Sequence, residues 1–269
     1  PILIIGILDD LFDIKAFYRI FIQALTCCMI FTIDIYISNF GIFTIDHSEP
    51  YFKVILYIVT IICVMIYTNG LNFLDGIDGL AASISLSVIL LLIINNFILS
   101  NYEITFELFD QFLIGFFISL LSFLLINLNI FPLKKIFLGD SGSTLVGFLI
   151  AWMLIHYSQN KFFNLHPATV IWMLAIPCFD LIKVTILRVY KRNNVLKSDR
   201  LHIHYLLQDF KIRNKLILLI LFSLSMIFGI IGILLSKYLS PNLSIIIYLV
   251  FFVFYFYINI ILKQKLSVK

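Results

Sequence analysis

Charge is scarce in this sequence. Only 15 acidic and 19 basic side chains occur among 269 residues, 13% of the chain, against about 25% in an ordinary soluble domain. That shortage excludes a typical water-soluble globule. Cysteine is sparse too: Cys27, Cys28, Cys63 and Cys178 lie in apolar segments without metal-ligand spacing. Adjacent Cys27 and Cys28 are poorly placed to pair, so all four are expected to be packing residues. Neither an initiator methionine nor a basic leader precedes the short apolar stretch 1–8, which is therefore not a signal peptide and is too short to cross a bilayer. The chain reads as truncated inside a helix. No Pro/Ser-rich linker interrupts it, so one integral-membrane domain over 1–269 is expected.

What the chain has in abundance is hydrocarbon. Hydrophobic residues make up 62% of it, and apolar runs near the 17–25 residues of a helical span occur at roughly 16–37, 51–68, 80–99, 111–130, 142–157, 167–187, 215–236 and 244–262. The expected fold class is all-α: a polytopic transmembrane protein with eight spans plus an N-terminal helix stub. Orientation follows from the basic residues, which collect on the cytoplasmic side. With the stub ending inside, that side holds sixteen of nineteen: Lys15, Arg19, Lys134, Lys135, nine between 183 and 215, Lys263, Lys265 and Lys269. Outside remain Lys53, Lys161 and Lys237, with Asp46, Glu49, Glu103, Glu107 and Asp110 as acids of no motif. The net charge of +4 comes from this asymmetry beside anionic lipid and does not point to nucleic acid.

Four polar clusters lie at the inner ends of apolar runs. An ionised carboxylate near hydrocarbon costs roughly 2.5–3.5 kcal/mol even on insertion scales, so such residues are functional candidates. Asp9 and Asp10, with Asp13, can hold a hard cation or share a proton; a solvated helix end is the plain alternative. Asn69, Asn72, Asp75 and Asp78 recur every three positions, which predicts one helical face, and Gly70, Gly76 and Gly79 permit close backbone approach. The EF-hand spacing is absent. Asp140 begins a span with Ser141, Gly142 and Ser143, suiting a helix N-terminus that receives an anion while its carboxylate binds the accompanying cation. Ser143 breaks the Gly-x-Ser-x-Gly pattern of a nucleophile elbow. In the fourth cluster, Ser198, Asp199, Arg200, His202 and His204 fit phosphate binding better than zinc, because no Cys or HExxH partner is near. Asn127 and Asp180 are two further inner polar residues, with Asp180 and Lys183 expected as a structural ion pair. Acids, glycines and cations converging on one face suit metal-assisted phosphoryl chemistry on a diphosphate.

This motif series resembles the polyprenyl-phosphate N-acetylhexosamine-1-phosphate transferases of glycosyltransferase family 4. The likeness runs from Asp9, Asp10 and Asp13, through Asn69–Ala81 and Phe137–Thr144, to Arg200, His202 and His204, and ends near residue 207. It implies transfer of N-acetylhexosamine-1-phosphate, GlcNAc-1-phosphate above all, from the UDP-sugar to undecaprenyl phosphate, releasing UMP and priming O-antigen or another cell-envelope glycan. Mg²⁺ is the implied cofactor, with Mn²⁺ as substitute, and Asp140 the implied ligand. Asp9 and Asp10 match the acidic pair, and Asp75 another active-site acid. Gly76, Ile77, Asp78, Asn127 and Phe137 match uridine-pocket positions, with Phe137 stacking. Asn69 and Asn72 join the substrate-binding set and Asp78 the catalytic one, while Arg200, His202 and His204 match an inner loop facing the sugar or diphosphate. The implied setting is the bacterial inner membrane with the site toward the cytoplasm; a homodimer is compatible. The chain departs from the family at Tyr205, where a histidine is usual, and in lacking the further N-terminal spans. Attack by the lipid phosphate and an aspartyl-phosphate on Asp9 or Asp10 both stay open. A cation-coupled transporter, an inactive scaffold and a phospho-MurNAc-pentapeptide transferase are the competing readings.

Overall fold

The computed structural model describes residues 1–45, 49–99, 108–160, 163, 165–194 and 200–267. Asp46, Glu103, Glu107, Lys161, Lys197, Ser198, Asp199 and Lys269 lie outside them. Eleven α-helices are described: α1 (Ile2–Phe12), α2 (Ala16–Ile30), α3 (Pro50–Leu74), α4 (Leu80–Ile93), α5 (Leu108–Asn127), α6 (Gly139–Gln159), α7 (Pro167–Met173), α8 (Ala175–Tyr190), α9 (Ile203–Asp209), α10 (Asn214–Tyr238) and α11 (Pro241–Ser267). Among the described residues there is no strand, only an isolated bridge between Asn39 and Thr44.

Helix starts follow local chemistry. Pro50, Pro167 and Pro241 open α3, α7 and α11, where a missing N–H costs nothing and φ is already helical. Pro177 acts oppositely. Its ring clashes with the carbonyl four residues back, at Met173, and there α7 ends and α8 departs at 72°.

Six helical stretches are long and apolar enough to cross a membrane: Ala16–Ile33, Pro50–Leu74, Phe109–Asn127, Gly139–Gln159, Asn214–Tyr238 and Pro241–Leu266. The bent pair α7 and α8 makes a seventh if taken as one span. The expected eight are thus not reached by length and composition. The stretch expected at 80–99 divides into α4 and a π-helical turn, Ile94–Leu99, and its apolar helix Leu80–Asn96 is shorter than a full span. The first span also ends early, because Asp34 turns left-handed at φ 54°.

Burial sorts the helices into layers. Nearly all of α4 is buried, and two thirds of α6, while only 6% of the α11 span is. Exposed Val250, Val253 and Phe254 on α11 are the side chains a bilayer would cover. The cysteine expectation holds only in part: Cys27 is buried and Cys178 half-buried, but Cys28 and Cys63 are exposed.

Close helix approach sets the position of α6. Gly6 of α1 lies against the Ser141 backbone, with no room for a Cβ. Gly147 packs tightly on the backbone of Thr68 of α3, where a Cβ would lie 3.0 Å from the Thr68 Cα. The α6 N-terminus is thereby held beside the α1 and α3 C-termini, which gathers the acid clusters at one end of the bundle.

Candidate active site

At that end, α1, α2 and α6 meet through charge. Arg19, at the end of the first turn of α2, donates through one guanidinium nitrogen to Asp9 and, at 2.7 Å, to Asp140. Asp9 is 7% exposed. Asp10 does something else: its carboxylate accepts the backbone N–H groups of Asp140 at 3.0 Å and Ser141 at 3.3 Å. The α6 N-terminus, expected to receive a substrate anion, is therefore capped by Asp10 of this chain. Gly139, at φ 68°, makes the left-handed turn that brings those N–H groups to it.

The expected single face of Asn69, Asn72, Asp75 and Asp78 does not form, because α3 stops at Leu74 with Asp75 as its C-cap. Asn69 instead bonds Gln23 of α2 at 2.8 Å, and Asn72 bonds Ser143 of α6 at 2.8 Å. Both tie helices together. Asp78 turns outward to Lys135 at 2.5 Å.

A cavity of about 320 Å³ collects half of the expected site: Asp75, Gly76, Ile77, Asp78, Asn127, Phe137 and Asp140 all line it. Phe137 is 70% exposed, and the Lys135 ammonium lies 4.9 Å from its ring centroid. Asn127 is buried; its amide donates to the Ile136 carbonyl at 2.6 Å, while its Oδ1 has no partner among the described residues. Burial first, then the charges of Asp140 and Asp78, push the Asp75 carboxyl up to about 7.

That shift has a measurable consequence. Between pH 3.8 and about 7 the folded protein binds a proton at Asp75 that the unfolded chain has released, so stability falls as pH rises through this window. Asp75→Asn is expected to flatten the fall. Melting temperatures in detergent with EDTA, at pH 5 and pH 8, measure it.

The histidine loop packs behind this cavity. His204 is fully buried, and its Nε2 faces Gly76 so closely that a Cβ there would collide with it. Neither of its ring nitrogens has a hydrogen-bond partner among the described residues, and burial lowers its pKa to about 4. His202 stacks on Phe73 at 5.1 Å and meets Asp180. Arg200, by contrast, does not line the cavity: it is exposed, pairs with Asp209 at 3.3 Å and lies 4.8 Å over the Tyr205 ring.

A separate groove of about 250 Å³ starts from Arg19, the partner of Asp9 and Asp140. It runs between α2, α3 and α8, lined by Arg19 and Arg188 beside Ile20, Ile62, Met65 and Ile66, with Asn69 and Phe73. Ile66 also lines an apolar cavity of about 270 Å³ that continues toward the opposite end of the bundle. Arg19 was expected only as part of the inner positive excess. The signal that could have singled out Arg19 is a cation inside an apolar run shortly after an acidic pair.

Among the described residues no three His, Cys, Asp or Glu side chains converge closely enough to form a complete metal site. Two carboxylates, those of Asp9 and Asp140, do share one cation.

The sequence model of the family described as "Glycosyl transferase family 4" matches residues 1–158. The chain belongs to that family. The expected site residues from Asp9 to Asp140 fall inside this stretch; Arg200, His202 and His204 lie beyond it. Among curated relatives of this family 4 chain, the undecaprenyl-phosphate alpha-N-acetylglucosaminyl 1-phosphate transferase of Yersinia pestis is 32% identical over 238 residues, covering 85% of this chain and 62% of the relative. The protein of that name from Escherichia coli O157:H7 is 29% identical, covering 94% of this chain and 68% of its own. The one from Haemophilus influenzae is 31% identical, covering 87% and 65%. The chain thus spans about two thirds of the length of the curated relatives it matches.

Proposed function

We propose that this family 4 chain transfers N-acetylhexosamine-1-phosphate, GlcNAc-1-phosphate in the first instance, from a UDP-sugar to undecaprenyl phosphate and releases UMP. The observation that carries the reading is the position of Asp140. It lines the cavity of acids, glycines and Phe137, and it bonds Arg19, which lines the apolar groove. Donor and acceptor would meet at that pair.

Each half suits its substrate chemically. A polyprenyl phosphate has a charged head on a long apolar chain, and the groove offers the guanidinium groups of Arg19 and Arg188 together with apolar walls. In the cavity, the exposed Phe137 ring gives uracil a stacking surface. The unpartnered Asn127 Oδ1 can accept the uracil N3–H. Asp75 holds its proton near neutrality and can donate a hydrogen bond to a diphosphate oxygen.

The donor set also fits Mg²⁺, or Mn²⁺ in its place, since Mg²⁺ is commonly held by one or two carboxylates with substrate phosphates and water completing its shell. Asp140, with Asp9 beside it, would hold the ion, whose charge neutralises the diphosphate oxygens. An oxygen of the lipid phosphate attacks the sugar-bearing phosphorus, the bond to the bridging oxygen breaks, and UMP departs with that oxygen. Direct attack is favoured over an aspartyl-phosphate because Asp9 is held by Arg19 and Asp10 by two backbone N–H groups. In this reading α4 and the bent α7–α8 pair count as crossing elements, giving eight spans, and the excess of basic residues at the acid-bearing end supports a cytoplasmic face in a bacterial inner membrane.

The test uses membranes containing the protein, undecaprenyl phosphate, Mg²⁺ and UDP-GlcNAc labelled in the sugar. Lipid-linked label with matching UMP release is expected. Transfer only from another UDP-HexNAc would change the sugar, and no transfer from any donor in well-folded protein would overturn the reading. Phe137→Ala should raise the KM for the UDP-sugar on the order of tenfold, because a stacked base contributes about 1–3 kcal/mol. The KM for the lipid should stay put.

A further inference from the structure

Helices α8, α9 and α11 meet at one buried carboxylate. Asp180 is 1% exposed. Its Oδ1 accepts from Lys183 Nζ at 2.7 Å, the Ile203 N–H at 2.9 Å and the Tyr255 hydroxyl at 3.0 Å. Its Oδ2 lies 2.7 Å from His202 Nδ1. Lys183, equally buried, also donates to the Leu201 carbonyl at 3.0 Å and to Asn259 Oδ1 at 3.3 Å.

The expected ion pair between Asp180 and Lys183 is there, yet a pair serving only α8 would need none of the other partners. Three of them, Leu201, His202 and Ile203, immediately precede His204. An ionised carboxylate only accepts hydrogen bonds, so the proton of a neutral His202 must sit on Nδ1, which leaves Nε2 as a free acceptor. That Nε2 is buried and without a partner among the described residues.

We infer that Asp180 is a positioning residue: balanced by Lys183 and braced from α11 by Tyr255 and Asn259, it fixes the His202 ring and its tautomer and holds the loop against the cavity wall at Gly76. What His202 then does to substrate rests on the transfer reaction proposed above. The fixed tautomer does not.

The test compares wild-type protein with Asp180→Asn/Lys183→Met, which removes both charges together and so avoids stranding one in the interior. Histidine ¹⁵N signals, assigned through His202→Gln and recorded where the ring is neutral, report the tautomer. Wild type should show His202 protonated at Nδ1, and the double variant should lose that bias. With Mg²⁺ and saturating lipid, kcat should fall on the order of tenfold to a hundredfold, the size seen when a partner orienting a functional histidine is removed. The KM for the UDP-sugar should change less than about threefold. Should the double variant fail to fold, Tyr255→Phe, which deletes one hydroxyl, carries the same comparison with smaller effects. An unchanged His202 signal overturns the inference, as does a lost signal with unchanged kcat. A wild type that shows the Nδ1–H signature but transfers from no donor would sink the reaction and leave the Asp180–His202 arrangement standing.

Discussion

Asp140→Asn is expected to lower transfer by about 10²–10³-fold, the cost of removing one preorganised electrostatic partner from a reaction centre, while the fold survives. The side chain is 48% exposed and bonds Arg19. The helix start beneath it is fixed by backbone bonds to Asp10, which an amide at position 140 leaves intact. Asparagine keeps the shape and one acceptor oxygen but removes the charge that a cation on the diphosphate needs opposite it. A second readout follows without any turnover. Asp140 is, after burial, the next cause of the raised Asp75 pKa, so the variant should lower that pKa and move the alkaline loss of stability to lower pH. Rates with saturating donor and lipid, with and without EDTA, and melting curves across pH would measure both. Near-normal transfer would remove Asp140 as the metal ligand; an unmoved stability profile would deny the coupling to Asp75.

The acid clusters were legible because each breaks a hydrophobic run. A charge next to hydrocarbon is costly, so Asp75, Asp78 and Asp140 stood out by position alone, and the cavity indeed gathers them with Gly76, Ile77, Asn127 and Phe137. Less legible was what each side chain bonds to. Asn69 and Asn72 share the three-residue spacing of the acids, but spacing cannot say that a helix ends at Leu74 and that Gln23 and Ser143 stand opposite. Nor could it show that Asp10 caps a helix 130 residues away. Arg19 and the α11 residues Tyr255 and Asn259 went unnoticed for the same reason: their partners are distant in sequence. The span count suffered from local effects. Pro177 breaks one apolar run in the middle, and a π turn alters the end of another, and hydropathy averages over both.

Arg19→Ala should cost stability and transfer together, and a second substitution should separate them. Asp9, with a side chain only 5% exposed, loses in Arg19 the cation that balances it. Breaking a fully buried pair costs about 3–5 kcal/mol, and because Arg19 is itself a quarter exposed, about 2–3 kcal/mol is the reasonable figure here. A melting temperature lower by several degrees is expected. Adding Asp9→Asn removes the stranded charge and should restore most of that stability, since neither partner then remains ionised. Transfer should not return, because the groove still lacks the guanidinium that bonds Asp140 and is proposed to meet the lipid phosphate, and Asp9, proposed to stand beside the metal ion, is neutralised as well. Arg19→Lys should fall between, keeping the charge but on a shorter, more strongly hydrated ammonium with fewer donors. Its loss should show chiefly as a higher KM for undecaprenyl phosphate. If Arg19→Ala/Asp9→Asn regained transfer along with stability, Arg19 would be a purely structural counter-charge, and the acceptor would have to be sought away from the groove between α2, α3 and α8.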